Sequence, residues 1–297
     1  MIRLVTYSTP AYELRRRILH ASALLSGCAE HVSSWSPSRL NKSGFAKTCP
    51  GIRLSERGGG WWAWKPFVIL KELEGMKDGD YLLYCDTGRI YPFKILDRPL
   101  TSLVLWMKER GQFCLPGVEI PWNGPMSRWT KRDAFVLTGC DDEGYYRATP
   151  IQASFSLWKV CEESRGLAAQ WLEWCSDRRL VTDDPNRCGH DNLPDFVDHR
   201  HDQCLLSLLC IKNDISGISM GNHQPDFDEK NPANVAENRG ESKAHSIRLA
   251  LLRKLASILA AIERAPRRLF SAIRALRSGS SSERGTLEDA KRKEKSS

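Results

Sequence analysis

The chain has 297 residues with 41% apolar content, enough for one large or two small cored domains, and a formal charge of +8. Residues 1–240 carry 30 basic and 30 acidic side chains, residues 241–277 carry 9 and 2, and residues 278–297 carry 5 and 4. The main body is neutral, which argues against a nucleic-acid-binding core, and no apolar run reaches the roughly 18–20 residues that span a bilayer.

The opening Met1-Ile-Arg-Leu-Val-Thr-Tyr7 reads as a strand over 2–7 rather than a secretory leader, and Tyr12 to Leu25 carries apolar residues at helical spacing. A polar, turn-rich stretch from Ser33 to Arg57 leads to Gly58-Gly59-Gly60, where the backbone is free to take positive φ or approach a ligand. Pro66 to Met76 reads as a helix with Pro in its first turn. Tyr81 to Cys85 is a continuous apolar run, the mark of a parallel strand buried on both faces, and it runs directly into Asp86-Thr87-Gly88. Further on, the pattern predicts a helix over 100–110, a strand over 113–120, a short helix over 131–137, an apolar stretch from Ile151 leading into a helix ending near Cys175, a loop over 183–195 and a helix over 199–211.

Alternating strands and helices imply an α/β/α sandwich with a mostly parallel sheet. We assign residues 1–218 to this domain and 219–240 to a linker. Residues 241–277 form a basic amphipathic helical segment, with Ile247, Leu251, Leu255, Ile258, Leu259 and Ile262 on one face, and 278–297 a disordered tail. The basic segment is expected to lie on an anionic membrane surface; self-packing or a coiled coil is the other reading. The ten cysteines, spread from Cys28 to Cys210 without a CxxC pair, read as reduced thiols of a cytoplasmic protein.

Two stretches carry chemistry. An Asp at the carboxyl end of a buried α/β strand sits where such sheets bind ligands, so Asp86 can hold a divalent cation, a ribose hydroxyl or a sugar hydroxyl, or it can cap the next turn. Lys65 neutralises a phosphate or is a surface lysine. Trp61, Trp62 and Trp64 read as core or wall rather than as a stacking platform. His199, Arg200, His201 and Asp202, crowded at a helix start, point to acid-base and hydrogen-bonding work. A zinc site from Cys188, His190, His199 and His201 matches no familiar ligand spacing.

Taken in order, RGGGWWAWKPFVILKEL, DGDYLLYCDTG, TPIQASFSLWK and HRHDQCLLSLL resemble a group of bacterial nucleotide-sugar glycosyltransferases with a GT-A fold, over residues 1 to about 218. The resemblance implies that Asp86 is the first carboxylate of the donor-binding Asp-x-Asp element, and that Lys65 faces the nucleotide. It places Gln152, Ala153 and Ser154 against the sugar, and Asp202 and Gln203 near donor sugar and acceptor. Asp202 is then the first choice for a catalytic or sugar-orienting carboxylate, with His199 and His201 as alternatives. Gly88 stands where the second acid of the element belongs, so a magnesium or manganese ion would rest on Asp86 and the diphosphate. The implied activity is transfer of a sugar from a nucleotide-sugar donor to a glycan or lipid-linked acceptor in cell-surface polysaccharide or lipopolysaccharide synthesis, at the cytoplasmic face of the membrane. The competing reading is a nucleotide-sugar-binding module without transfer activity.

Overall fold

The computed structural model describes residues 1–87 and 100–218, the backbone at 220–221 and 224–225, and Lys254. Gly88 and the rest of 88–99, most of 219–240, the basic segment 241–277 apart from Lys254, and the tail 278–297 lie outside the described residues. The chain divides into two compact units, Met1–Leu249 and Ala250–Ser297, and the sheet and its helices belong to the first.

A central sheet is built from β1 (Ile2–Tyr7), β2 (His31–Trp35), β3 (Tyr81–Cys85), β4 (Cys114–Leu115) and β7 (Phe155–Lys159), in the spatial order β2-β1-β3-β7-β4. Strands β1, β2 and β3 are parallel, with Leu4 opposite Leu83 and Val5 opposite Tyr84. Strand β7 runs antiparallel to both β3 and β4, so it is the one reversed member of an otherwise parallel sheet. A separate antiparallel pair joins β5 (Val118–Glu119) to β6 (Ile151–Gln152).

The apolar run of β3 is explained by its central place. Successive side chains point to opposite faces. Leu82 and Tyr84 enter one core with Val5, Phe67, Trp158 and Trp171, while Leu83 and Cys85 enter another with Leu4, Leu19, Leu103 and Leu157. The first core is covered by helices α2 (Trp64–Glu74), α4 (Glu162–Ser176) and α5 (His201–Lys212). The second is covered by α1 (Glu13–Leu25) and α3 (Thr101–Glu109). A sheet with both faces covered is the sandwich that the sequence implied. Among the described residues, no helix is long and apolar enough to cross a membrane.

Two expectations need correction. The stretch 33–57 is more than turns: it completes β2 and forms helices Pro37–Lys42, capped by the Ser36 hydroxyl, and Phe45–Thr48. The single strand over 113–120 is two strands of two residues each, broken where Gly117 takes φ +146° with Gln152 O against the place a Cβ would fill.

The loop after residue 182 has almost no regular structure, yet it is bolted down. Asp133, fully buried at the start of helix Arg132–Leu137, accepts the backbone N–H groups of Arg187 and Cys188 at 2.8 Å each, and Lys131 Nζ donates to Asp184 O at 2.6 Å. Ser127 Oγ donates to Asp195 at 2.6 Å. This anchored loop fixes the approach to α5, where the functional residues begin.

Candidate active site

In open α/β sheets, ligands bind beyond the carboxyl ends of the strands where the connections diverge. Here that point lies between β1 and β3, because the chain passes from β1 outward to β2 and then returns to the other side of β1. Asp86 and Thr87 lie directly at this point, and the Thr87 hydroxyl donates to Tyr7 O at 3.1 Å, tying the two strand ends together.

Lys65 enters from α2. Its Nζ lies 2.9 Å from Asp202 Oδ2 and 3.7 Å from Asp86 Oδ1, and it donates to Ala153 O at 3.0 Å. The contact with Asp202 lies outside hydrogen-bond alignment, so the attraction there is that of an ion pair. Asp86 N donates to Ser154 O at 2.8 Å. Four segments distant in sequence therefore converge, bringing Lys65, Asp86, Ala153, Ser154 and Asp202 together.

Burial separates their roles. Asp86 keeps 32% of its side chain exposed, whereas Lys65 and Asp202 keep 5% and 6%. Lys65 is thus not a surface lysine: its ammonium lies against two carboxylates and a carbonyl. Burial alone would push that ammonium down; the Asp202 and Asp86 carboxylates outweigh it, and its pKa lies above the ordinary value. Burial pushes Asp202 up to about 6 despite the opposing pull of Lys65, with Asp86 adding to the rise.

The three glycines take φ values of +64°, +69° and +94°, and Trp61 and Trp62 continue at +55° and +57°. Five consecutive residues thus form a left-handed turn. The freedom expected of the glycines is used in full, and a Cβ at Gly60 would lie 2.8 Å from Ile52 Cγ2 and 3.2 Å from Arg53 O. Trp64 is core: it stacks on Tyr7 at 4.0 Å and donates from Nε1 to Gly58 O at 3.0 Å. Trp61 and Trp62 are walls that flank the His201 ring, with centroids 5.1 and 5.3 Å away.

The two histidines do not face the crevice as free bases. His199 Nε2–H donates to Leu180 O at 2.8 Å, and Lys131 N–H donates to its Nδ1 at 3.3 Å, so both ring nitrogens are taken. Burial, followed by the neighbouring His201, holds its pKa well below the usual histidine range. His201 Nδ1–H donates to Val181 O at 2.9 Å, and its buried Nε2 stands 3.9 Å from Asp183 Oδ1. Burial lowers its pKa as well. These rings pin the start of α5 to residues 180–181. The expected hydrogen-bonding role is present, but the acid-base role is not available to His199.

Gln152 and Gln203 are half-buried and, among the described residues, their side chains make no hydrogen bond, which leaves them free for a ligand. Tyr84, the first residue of the Tyr-Cys-Asp-Thr-Gly motif but given no role from sequence alone, joins the site: its hydroxyl donates to Asp86 Oδ1 at 2.5 Å. The spacing carries that signal, because residues two apart on a strand share a face.

Among the described residues no group of three His, Cys, Asp or Glu side chains could hold a metal by itself, and Asp86 Oδ1 receives the Tyr84 hydroxyl beside the Lys65 ammonium. The zinc reading of Cys188, His190, His199 and His201 fails by the same test.

No protein-family model matches the chain, and no curated protein matches it. Among solved structures it is similar to a galactosyltransferase, LgtC, in complex with donor and acceptor sugar analogues, over 70% of this chain and 70% of that one, at 16% sequence identity and a TM-score of 0.30.

Proposed function

We propose that this protein is a glycosyltransferase that moves a sugar from a nucleotide-sugar donor to a glycan or lipid-linked acceptor. One observation carries the reading: Lys65, Asp86 and Asp202, drawn from three separate motifs, meet within ion-pair distance at the point of the sheet where ligands bind. Asp86, the exposed acid, contacts the donor. Asp202 has its proton affinity raised toward neutrality, as a group that orients sugar hydroxyls or takes the acceptor's proton requires. Ala153 and Ser154 present backbone to the sugar, while Gln152 and Gln203 supply uncommitted amides.

Lys65 keeps this acidic cluster compact. Without it, two carboxylates would repel each other in a buried site. The charge that neutralises a departing diphosphate has to come from groups other than this ammonium, which is already engaged. The proposal extends to cell-surface polysaccharide or lipopolysaccharide as product, and to attachment at the inner face of the membrane through 241–277, a segment outside the described residues.

The test is hydrolysis and transfer with a panel of nucleotide sugars, run with and without manganese, on the wild type and on Asp86→Ala. Turnover with one donor, reduced at least about 100-fold by Asp86→Ala, is expected if Asp86 holds the donor. Near-normal turnover in the variant would remove Asp86 from the site. Tight nucleotide-sugar binding with no turnover by the wild type would select the non-catalytic binding module instead.

A further inference from the structure

Tyr84 takes no part in the chemistry proposed for Asp86 and Asp202, yet its position is hard to explain by packing alone. It is the penultimate residue of β3, is fully buried, and aims its hydroxyl out of the core at Asp86. Burial raises its pKa well above the usual tyrosine range and the Asp86 carboxylate raises it further, so it stays a phenol and a donor at every pH the protein meets.

The Asp86 carboxylate is therefore held unequally. Its Oδ1 receives the Tyr84 hydroxyl at 2.5 Å and lies 3.7 Å from Lys65 Nζ, which itself sits 5.5 Å from the centre of the Tyr84 ring. Among the described residues nothing donates to Oδ2, and the side chain is 32% exposed. A carboxylate turns readily about its last torsion, so a donor on one oxygen decides which oxygen faces outward.

We propose that Tyr84 is a positioning residue for ligand binding: by donating to Oδ1 it stops the rotation of the Asp86 carboxylate and presents Oδ2 as one fixed acceptor for a hydroxyl of the nucleotide-sugar donor. This role rests on the crevice being a nucleotide-sugar site. Tyr84 touches no substrate; it acts through Asp86. The bond is charge-assisted and short, and its donor ring is fully buried, so it holds a fixed geometry better than a contact between two exposed side chains would.

The experiment measures unfolding temperature, affinity for nucleoside diphosphates and nucleotide sugars, and donor KM and kcat, for the wild type, Tyr84→Phe and the protein carrying 3-fluorotyrosine at position 84. For Tyr84→Phe the expected result is a rise in donor Kd and KM of about three- to tenfold, the size of one freed side-chain rotor, with kcat within about twofold and the unfolding temperature little changed. A folded Tyr84→Phe protein with wild-type Kd and KM overturns the proposal while leaving the glycosyltransferase reading intact. Wild-type protein that binds no member of the panel overturns both. If Tyr84→Phe does not fold, the fluorotyrosine protein decides. Its ring has nearly the same volume and its hydroxyl is a stronger donor, so tighter binding is expected, and unchanged or weaker binding overturns the proposal.

Discussion

Replacing Asp202 with Asn should remove a pH dependence from the protein's stability. In the folded protein the Asp202 carboxyl titrates at about 6 rather than at its ordinary 3.8, because burial costs the charged form more than Lys65 returns to it. The folded state thus holds a proton that the unfolded chain has already released. This contribution to stability is fully present below the unfolded pKa and is lost as pH rises through the folded one. Each tenfold change in proton affinity is worth about 1.4 kcal/mol, so the whole loss is about 3 kcal/mol, of which about 2 kcal/mol falls between pH 4.5 and 7. Asp202→Asn cannot ionise and has no such dependence. Urea unfolding of both proteins at half-unit pH steps gives the difference directly: the stability of the wild type relative to the variant should fall as pH rises. A difference that rises with pH would show that the Lys65 ion pair dominates over burial, and would remove the physical basis for treating Asp202 as a tuned acid.

The left-handed turn makes an ordered prediction. Gly59→Ala finds no atom nearer than 3.6 Å and should lose only the conformational cost of about 1–2 kcal/mol, whereas Gly60→Ala adds the clash with Ile52 and with the carbonyl of Arg53 and should lose about 3 kcal/mol or more by urea unfolding. Equal costs at the two positions would mean that the turn relaxes. Glu72 is buried and accepts from Ser33 Oγ at 2.6 Å, Trp35 Nε1 at 2.7 Å, Arg39 at 3.1 Å and Arg3 at 3.2 Å. Glu72→Ala should destabilise by about 2 kcal/mol, short of the full cost of a broken buried ion pair because both arginines can turn to water; a change below about 0.5 kcal/mol would refute the hub. His199→Leu leaves Leu180 O and the Lys131 N–H unpaired, at about 1–3 kcal/mol each, and a variant as stable as the wild type would show that those groups find other partners.

Much of the fold is legible in the sequence because local signals agree with it. The uninterrupted apolar run at 81–85 reads as a central strand, and its last residue places Asp86 at a ligand-binding edge. The three glycines announce positive φ. What stays hidden depends on partners far away in sequence. Nothing local reveals that Lys65 is swallowed by Asp202 and by the carbonyl of Ala153, since a lysine before a proline looks the same whether it meets solvent or a buried acid. The histidines mislead for a related reason: a cluster of titratable groups at a helix start suggests catalysis, while the backbone acceptors at Leu180 and Val181 that engage them belong to a different element. Short strands such as 114–115 escape notice because two residues carry no period.

Of the four non-glycine residues described at positive φ, three gather beside the site, and the fourth, Asp214, lies past the end of α5. Trp61, Trp62 and His201 all hold positive φ, which side chains with a Cβ adopt at a cost of about 1–2 kcal/mol each. Trp61 and Trp62 pack against the first core, and His201 is buried. The three strained residues also pack ring against ring, and they lead into the charged residues of the site: Lys65 follows Trp62 by three positions, and Asp202 follows His201 directly. Relaxing either segment would turn one of these side chains away, although the partner loses its main compensation for burial if the 2.9 Å contact opens. The backbone strain and the buried ion pair therefore support one another, with the aromatic packing between Trp61, Trp62 and His201 as the contact that holds both in register. Strain kept in this way beside Lys65 and Asp202 fits the pre-organisation that the proposed function requires.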